Sequence, residues 1–286
     1  MPLTRRQFLE SAALTTAGLL AGVKAEGKPA PAAPVRVGMC DWNLGQTGRL
    51  EALSVAKRLG LDGVEASVSF PGPGQQLRDP KVADQYRATA RRLGVAIPSL
   101  ALGVLNEVPL ASQPKAALWL ADSIEAARRV GARVILVAFF GAGAINMADR
   151  AQLDRLVGVL QELGPRAQQA GVILGLENTL SAPDNLALLE RVGSPGVQVY
   201  YDLMNSADQG RDVPAELRAL GPHLCQVHVK DSGGLLSEVN DLDFPACARA
   251  LHEIGYRGWY VLETASPRGL EVDTTANLRY VRSVFA

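Results

Sequence analysis

The chain of 286 residues carries 29 basic and 29 acidic side chains, three histidines and three cysteines. That balance, with no useful Lys/Arg run after Arg6, excludes the basic stripe a nucleic-acid partner calls for and gives no electrostatic reason to sit on a membrane surface. Cys40, Cys225 and Cys247 lie in apolar segments without ligand-like spacing, so they read as buried thiols rather than a disulfide framework or a cysteine-rich metal site.

At the N-terminus, Thr4-Arg5-Arg6-Gln7-Phe8-Leu9 leads into an uncharged stretch, Ser11 to Val23, and then Lys24-Ala25. This is the layout of a twin-arginine export signal. The stretch falls short of the ~20 residues that cross a bilayer, so no stable membrane anchor is expected. No polar face runs through 11–23, which argues against an ordinary amphipathic helix. Residues 1–25 are therefore expected to be a signal peptide handled by the twin-arginine export machinery, and the protein to be periplasmic or otherwise exported. Removing them takes away three basic residues and one acidic residue, leaving 26 against 28. Residues 26–34, Glu-Gly-Lys-Pro-Ala-Pro-Ala-Ala-Pro, read as a Pro/Ala-rich linker. The 261 residues beyond the signal are close to the about 250 of a single eight-stranded α/β barrel, so 35–286 is expected to be one catalytic domain.

From there the chain alternates. Short apolar or β-branched runs begin near Val35, Asp62, Val95, Arg133, Val172, Val197, Leu224 and Gly258, each followed by a longer helical segment. Eight such units predict a single (β/α)8 TIM barrel. Ala117, Leu120, Ala121, Ile124 and Ala127 share one helical face, as do Leu153, Leu156, Val157, Leu160 and Leu163. Glycine closes several helices, at Leu59-Gly60, Leu93-Gly94, Val130-Gly131, Ala170-Gly171 and Ile254-Gly255. An open doubly wound sheet would show the same alternation. The first strand, however, runs into Met39-Cys40-Asp41-Trp42-Asn43 rather than a phosphate-binding glycine turn, and Gly141-Ala142-Gly143 reads as a flexible loop.

Strands five to eight each end in a side chain able to hold a hard or borderline metal: Glu177, Asp202, His228 and Glu263, spaced by 25, 26 and 35 residues. Each interval matches one strand-plus-helix unit, so a barrel would return all four to the same rim, where such folds keep their active sites. Any one of them alone could be a helix cap or a backbone-bonded histidine. Four on consecutive strands point to one divalent metal ion, the natural partner for carboxylates ending apolar strands.

The residues around this quartet resemble the xylose isomerase-like barrel superfamily, in particular its sugar phosphate isomerase/epimerase group, which includes tagatose and psicose epimerases. The resemblance is carried by Gly175-Leu176-Glu177-Asn178, Tyr201-Asp202-Leu203-Met204-Asn205 with Gly210-Arg211-Asp212, His228-Val229-Lys230-Asp231, and Asp243-Phe244 followed by Gly255 to Glu263. It implies that Glu177, Asp202, His228 and Glu263 bind manganese, cobalt, magnesium or zinc, and that Glu177 and Glu263 are also the catalytic acid/base pair. A metal chelated by a carbonyl and a neighbouring hydroxyl oxygen acidifies the C–H between them, and one carboxylate removes a proton that the other returns. The expected activity is thus isomerisation or epimerisation of a sugar, polyol or keto-sugar through a metal-bound enediolate. The alternatives are a metal-dependent dehydratase or lyase on a keto-sugar or inosose, and a non-catalytic periplasmic carbohydrate-binding protein. The resemblance also allows a homo-oligomer, though no exposed apolar stripe marks an interface.

Further candidates for substrate binding are Asn178, Asn205, Lys230, Asp231, Glu65 and Trp42. Lys230 and Asp231 are expected in the rim loop, either holding a substrate oxygen and the imidazole or simply solvated. Glu65, ending the second strand, either supports a ligand from behind, binds a hydroxyl or forms a buried ion pair with a neighbouring strand. Trp42 would offer an apolar wall to a sugar face. Asn205 stands where some members of the group have a substrate-touching histidine, so the resemblance does not carry over a particular epimerase's activity. His223 and His252 read as structural, so the histidines of the group's polynuclear relatives are absent.

Overall fold

The structure, a computed structural model, describes residues 35–70 and 76–286. The expected signal and linker, 1–34, lie outside the described residues.

Eight short strands are separated by helices throughout: β1 Val37–Cys40, β2 Gly63–Ser67, β3 Ser99–Leu102, β4 Val134–Ala138, β5 Ile173–Glu177, β6 Val197–Asp202, β7 Leu224–Lys230 and β8 Tyr260–Glu263. All neighbours pair in parallel and β1 closes on β8 through Val37 opposite Tyr260, so the sheet is a closed barrel in sequence order. The strands are buried on both faces, which explains their nearly unbroken apolar sequence. The third strand starts at Ser99 rather than near Val95. Pro98 has no N–H to give a ladder, and Ala96 makes only an isolated bridge to Gly63.

The outer layer consists of α1 Glu51–Leu59, α2 Pro80–Leu93, α3 Pro114–Val130, α4 Arg150–Gln169, α5 Ala182–Val192, α6 Leu203–Ala207, α7 Val213–Leu220, α8 Phe244–Glu253 and α9 Leu270–Val284. Leu153, Leu156, Val157, Leu160 and Leu163 of α4 are all buried; Leu160 is fully so and contributes about 1.5–3 kcal/mol on that account. On α3 the buried stripe is centred on Ala116, Leu120, Ser123 and Ala127, with Ala117 and Ala121 at its margin. The expected face is therefore rotated by about one residue, because Ser123 can be buried by bonding its hydroxyl to the Trp119 carbonyl. Gly60, Gly94 and Gly131 end their helices in the left-handed conformation, which lets the chain reverse directly into the next strand.

Two loop expectations change. Gly141–Gly143 is a tight 3-10 turn, not a loose loop: a Cβ on Gly143 would lie 2.3 Å from the Leu105 carbonyl oxygen, so the glycine lets two rim segments touch. Lys230 is the last residue of β7 rather than a loop residue, paired in register with Glu263. Two-residue periodicity then puts Gln226, His228 and Lys230 on one face of that strand, at successive heights in the barrel.

Candidate metal centre and active site

The last turns of β5 to β8 bring Glu177, Asp202, His228 and Glu263 together, with one ligand atom from each lying within 4.8 Å of the others. His228 Nδ1 faces the group, 2.8 Å from Glu177 Oε1, 3.6 Å from Glu263 Oε2 and 3.9 Å from Asp202 Oδ2. The Glu177 main chain is fixed by its carbonyl, which accepts from Phe139 N after β4 at 2.9 Å.

Asp202 shows how a strand end becomes a ligand. It is the N-cap of α6, and its Oδ1 accepts from Met204 N (2.8 Å) and Asn205 N (2.9 Å), so the helix terminus holds one oxygen and aims the other. That other oxygen, Oδ2, is buried and accepts no hydrogen bond. Leaving a buried carboxylate oxygen without a partner costs on the order of 1–3 kcal/mol or more. An orphan oxygen aimed into two further carboxylates and an imidazole fits a divalent cation, which takes oxygen and nitrogen donors of these kinds.

Charge balance points the same way. Glu65, Glu177, Asp202 and Glu263 are gathered around two groups able to carry positive charge, His228 and Lys230. Unmatched buried carboxylates cost several kcal/mol each even after relaxation, a charge that protons or a further cation would balance.

The far side of the imidazole is equally constrained. His228 Nε2 lies 3.0 Å from Glu65 Oε1 and 3.5 Å from Cys40 Sγ. Glu65 is fully buried, and its other oxygen accepts from Ser99 Oγ (2.5 Å) and Tyr200 OH (2.9 Å). Gln226 Nε2 donates to both of those hydroxyls, at 2.7 and 2.9 Å. A proton on Nε2 given to Glu65 leaves the Nδ1 lone pair directed at the other three ligands, the arrangement by which a carboxylate sets the tautomer of a metal-binding histidine.

The acids fall into unlike environments. Burial pushes Asp202 up to about 7, assisted by Glu177, and raises Glu177 above the usual carboxylate range. For Glu263 burial works upward as well, but His228 and Lys230 outweigh it and hold the carboxyl low. Burial alone would lower the His228 imidazole, yet the Glu177 and Glu65 carboxylates around it keep it well above its ordinary value. Burial keeps the Cys40 thiol and the Tyr200 phenol protonated.

Above the quartet opens a cavity of about 430 Å³, within the usual range for a small-molecule site. Its lining combines Glu177, Glu263, Lys230, Asn205, Asn106, Ser67 and Thr47 with the apolar side chains of Trp42, Ala101, Leu136, Ala138 and Phe140. The Trp42 ring stands edge-on to His228, with centroids 6.3 Å apart.

The other expected substrate contacts divide. Trp42, Asn205 and Lys230 border the cavity, whereas Asn178, Asp231 and Glu65 do not. Asn178 spends its amide on the turn after β5, accepting from Leu180 N and donating to Asn185 Oδ1. Asp231 joins two loops by accepting from Gly233 N and Ala265 N, and Glu65 acts on the imidazole rather than on a ligand. Neither Lys230 nor Asp231 bonds the imidazole; Lys230 Nζ sits 3.1 Å from Glu263 Oε2. The sequence reading overlooked Ser67, Asn106 and Phe140 on the cavity, and Cys40, Ser99, Tyr200 and Gln226 beneath it. Several are two residues from a singled-out position on the same strand, Tyr200 before Asp202, Gln226 before His228 and Ser67 after Glu65, so strand periodicity was the available signal. His252 bonds the Phe285 carbonyl, away from the quartet.

Comparison with known proteins agrees with this architecture. A model of the xylose isomerase-like TIM barrel family matches residues 53–284. The chain belongs to the xylose isomerase-like TIM barrel family. Within curated members, it is 32% identical over 198 residues to a 2-epi-5-epi-valiolone 7-phosphate 2-epimerase of Actinoplanes sp., covering 68% of this chain and 72% of that protein. It is 30% identical over 240 residues to an L-ribulose-5-phosphate 3-epimerase of Salmonella paratyphi A, covering 75% and 81%. Among solved structures, an L-ribulose 3-epimerase superposes with a TM-score of 0.74 at 21% identity, over 88% of this chain and 94% of that one. With epimerases as its named relatives, this family member is an enzyme of the isomerase and epimerase class.

Proposed function

We propose that the protein epimerises a ketose or keto-polyol at the carbon next to its carbonyl, using Glu177 and Glu263 as the proton-transferring pair and Glu177, Asp202, His228 and Glu263 to hold one divalent metal ion. The observation that carries this reading is the buried Asp202 Oδ2 without a hydrogen-bond partner, aimed into the other three ligands, of which Glu177 and Glu263 line a sugar-sized cavity. The epimerase relatives support the reaction class.

When bound, the ion supplies Lewis acidity that makes a C–H beside a carbonyl removable. The chain's residues do the rest. Glu263, kept ionised beside Lys230, accepts a proton, and Glu177, the second carboxylate of the pair, returns one. Delivery to the opposite face of the same carbon inverts the centre, and delivery to the adjacent carbon would give aldose/ketose isomerisation. The apolar wall of Trp42, Leu136 and Phe140 covers a sugar face and keeps water from the carbanion-like centre.

Metal analysis of purified protein followed by a ketose screen in deuterium oxide tests this. Epimerisation conserves mass apart from one solvent deuterium, whereas elimination loses water. Well-folded protein that neither contains nor takes up manganese or zinc would refute the metal assignment, and undiminished turnover in Glu177→Gln and Glu263→Gln would refute the carboxylate pair.

Export through the twin-arginine route is part of the same proposal, supported by Arg5-Arg6 and the uncharged stretch behind them. Replacing Arg5 and Arg6 with lysine should retain the protein in the cytoplasm; an unchanged distribution would rule the route out.

A further inference from the structure

The polar lining of the cavity comes largely from two arcs of the barrel. Glu177, Asn205, Lys230 and Glu263 stand on β5, α6, β7 and β8, whereas Ser67 ends β2 and Asn106 closes the 3-10 turn Gly103–Asn106 that follows β3. Round a closed barrel in sequence order, β2 and β3 are four strands from β6 and β7. Ser67 and Asn106, both half-buried, therefore lie across the barrel from Asp202 and His228.

Each of these two side chains is held so that one hydrogen-bonding role is left to it. Ser67 Oγ lies 2.6 Å from Asp41 Oδ1, while Asp41 Oδ2 accepts from Ser67 N at 2.8 Å and from Gly48 N at 2.9 Å. An ionised carboxylate only accepts, so the one hydroxyl proton of Ser67 is given to Asp41 and the oxygen keeps its lone pairs. Asp41 is fully buried, and turning the hydroxyl away would strand its oxygen. Asn106 is the complement. Its Oδ1 accepts from Phe140 N at 2.9 Å, and because a main-chain N–H can only donate, the amide orientation is settled. That leaves Nδ2, which has no partner among the described residues, as the donor Asn106 brings to the cavity. The neighbouring turn is fixed too, since Gly143 N bonds the Phe140 carbonyl and Gly143 packs on the Leu105 carbonyl where a Cβ would not fit.

From these commitments we infer that Ser67 and Asn106 read substrate hydroxyls beyond the carbons that exchange protons, Ser67 as an acceptor only and Asn106 as a donor only. A hydroxyl can give its proton to Ser67 Oγ or a lone pair to Asn106 Nδ2. A methylene does neither and leaves the protein group unpaired in a closed site, which is how such sites reject the analogue lacking the hydroxyl. The substrate is thus a ketose or keto-polyol whose chain stays hydroxylated past the reacting centre. The inference rests on the proposed epimerase function and adds which residues recognise the rest of the molecule.

The test takes L-ribulose, D-fructose and D-tagatose, pairs the best substrate of the three with its 4-deoxy and 5-deoxy analogues, and uses full-length metal-loaded protein. The readouts are kcat/KM from solvent deuterium incorporation and thermal stabilisation by each sugar. Wild type should lose at least about ten-fold in kcat/KM on at least one deoxy analogue, with weaker stabilisation by it. Ser67→Cys keeps a weak donor for Asp41 but accepts poorly, and Asn106→Ala removes the amide and leaves Phe140 N at the cavity rim. Each variant should turn the parent sugar over about ten-fold more slowly and shrink the deoxy penalty at one position to about two-fold, because the analogue has no bond there to lose. A variant that slows parent and analogues by the same factor acts on the fold, and that residue is then no reader of hydroxyls. Deoxy analogues turned over as fast as the parent by wild type overturn the inference without needing any variant, and leave the epimerase reading intact. Neither turnover of, nor stabilisation by, any of the three parent sugars overturns both.

Discussion

His228 is gripped from both sides: Glu65 Oε1 lies 3.0 Å from its Nε2 while Glu177 Oε1 lies 2.8 Å from its Nδ1. One nitrogen is thereby assigned to orientation and the other to the ligand cluster. Replacing Glu65 with glutamine keeps the volume and can still bond Ser99 and Tyr200, but it removes the charge that favours the Nε2 proton. Outer partners of metal-bound histidines are typically worth 10–100-fold in metal affinity or activity. Manganese affinity of Glu65→Gln, measured by calorimetric titration, should therefore fall by about that range, with the far-UV dichroism unchanged. Wild-type affinity would show that the Glu65 charge does not act through the imidazole.

Asp202→Asn separates the two tasks of that side chain. An asparagine Oδ1 can still accept from Met204 N and Asn205 N, so the cap on α6 survives, since asparagine and aspartate cap about equally well. The second oxygen becomes an amide nitrogen, which cannot ligate a cation. Metal content should drop to near zero while the melting temperature of the metal-free protein stays the same or rises, because a buried carboxylate has been removed from a cluster of acids. A large loss of melting temperature would instead make Asp202 chiefly a structural cap.

Much of this was legible because the barrel turns sequence spacing into spatial convergence. Intervals of one strand and helix place Glu177, Asp202, His228 and Glu263 on one rim, and parallel closure leaves little freedom in how they meet. Loop side chains were less legible. Asn178 and Asp231 stand beside the ligands in the chain, yet each turns back to satisfy nearby backbone or amide groups, and short Asn and Asp side chains are prone to such local bonds. Glu65 was placed on the right strand with its role left open between supporting a ligand from behind, binding a hydroxyl and pairing in the core, and it pairs with the imidazole. Its register against Cys40 sets it a level below the cavity, a matter of depth that spacing along one strand does not encode.

Lys230 governs one half of the carboxylate pair. Burial would raise the Glu263 carboxyl, and the cations His228 and Lys230 reverse that, with Lys230 Nζ only 3.1 Å away. Removing the ammonium in Lys230→Met therefore raises the pKa of Glu263. Activity that needs ionised Glu263 is lost as pH falls through that pKa, so the acid limb of the kcat/KM profile should move to higher pH, with turnover near neutrality reduced. A profile that drops uniformly, without any shift of the acid limb, would place Lys230 on the substrate rather than on Glu263.

Metal uptake should be coupled to proton release. In the metal-free protein burial raises Asp202 to about 7 and shifts Glu177 in the same direction, and the carboxylates around His228 hold its imidazole high, so the cluster as a whole retains protons at neutral pH. A cation binds them only in their deprotonated forms. Lowering the pH favours the protonated, metal-free state; raising it through roughly 6 to 8, around the Asp202 value of about 7, favours the complex. Manganese affinity should consequently increase with pH across that interval. Calorimetric titrations in buffers of different ionisation enthalpy should report net proton release per manganese bound, falling as pH rises and the ligands empty. An affinity independent of pH between 6 and 8, with no buffer dependence of the heat, would mean that the cation binds somewhere other than this quartet.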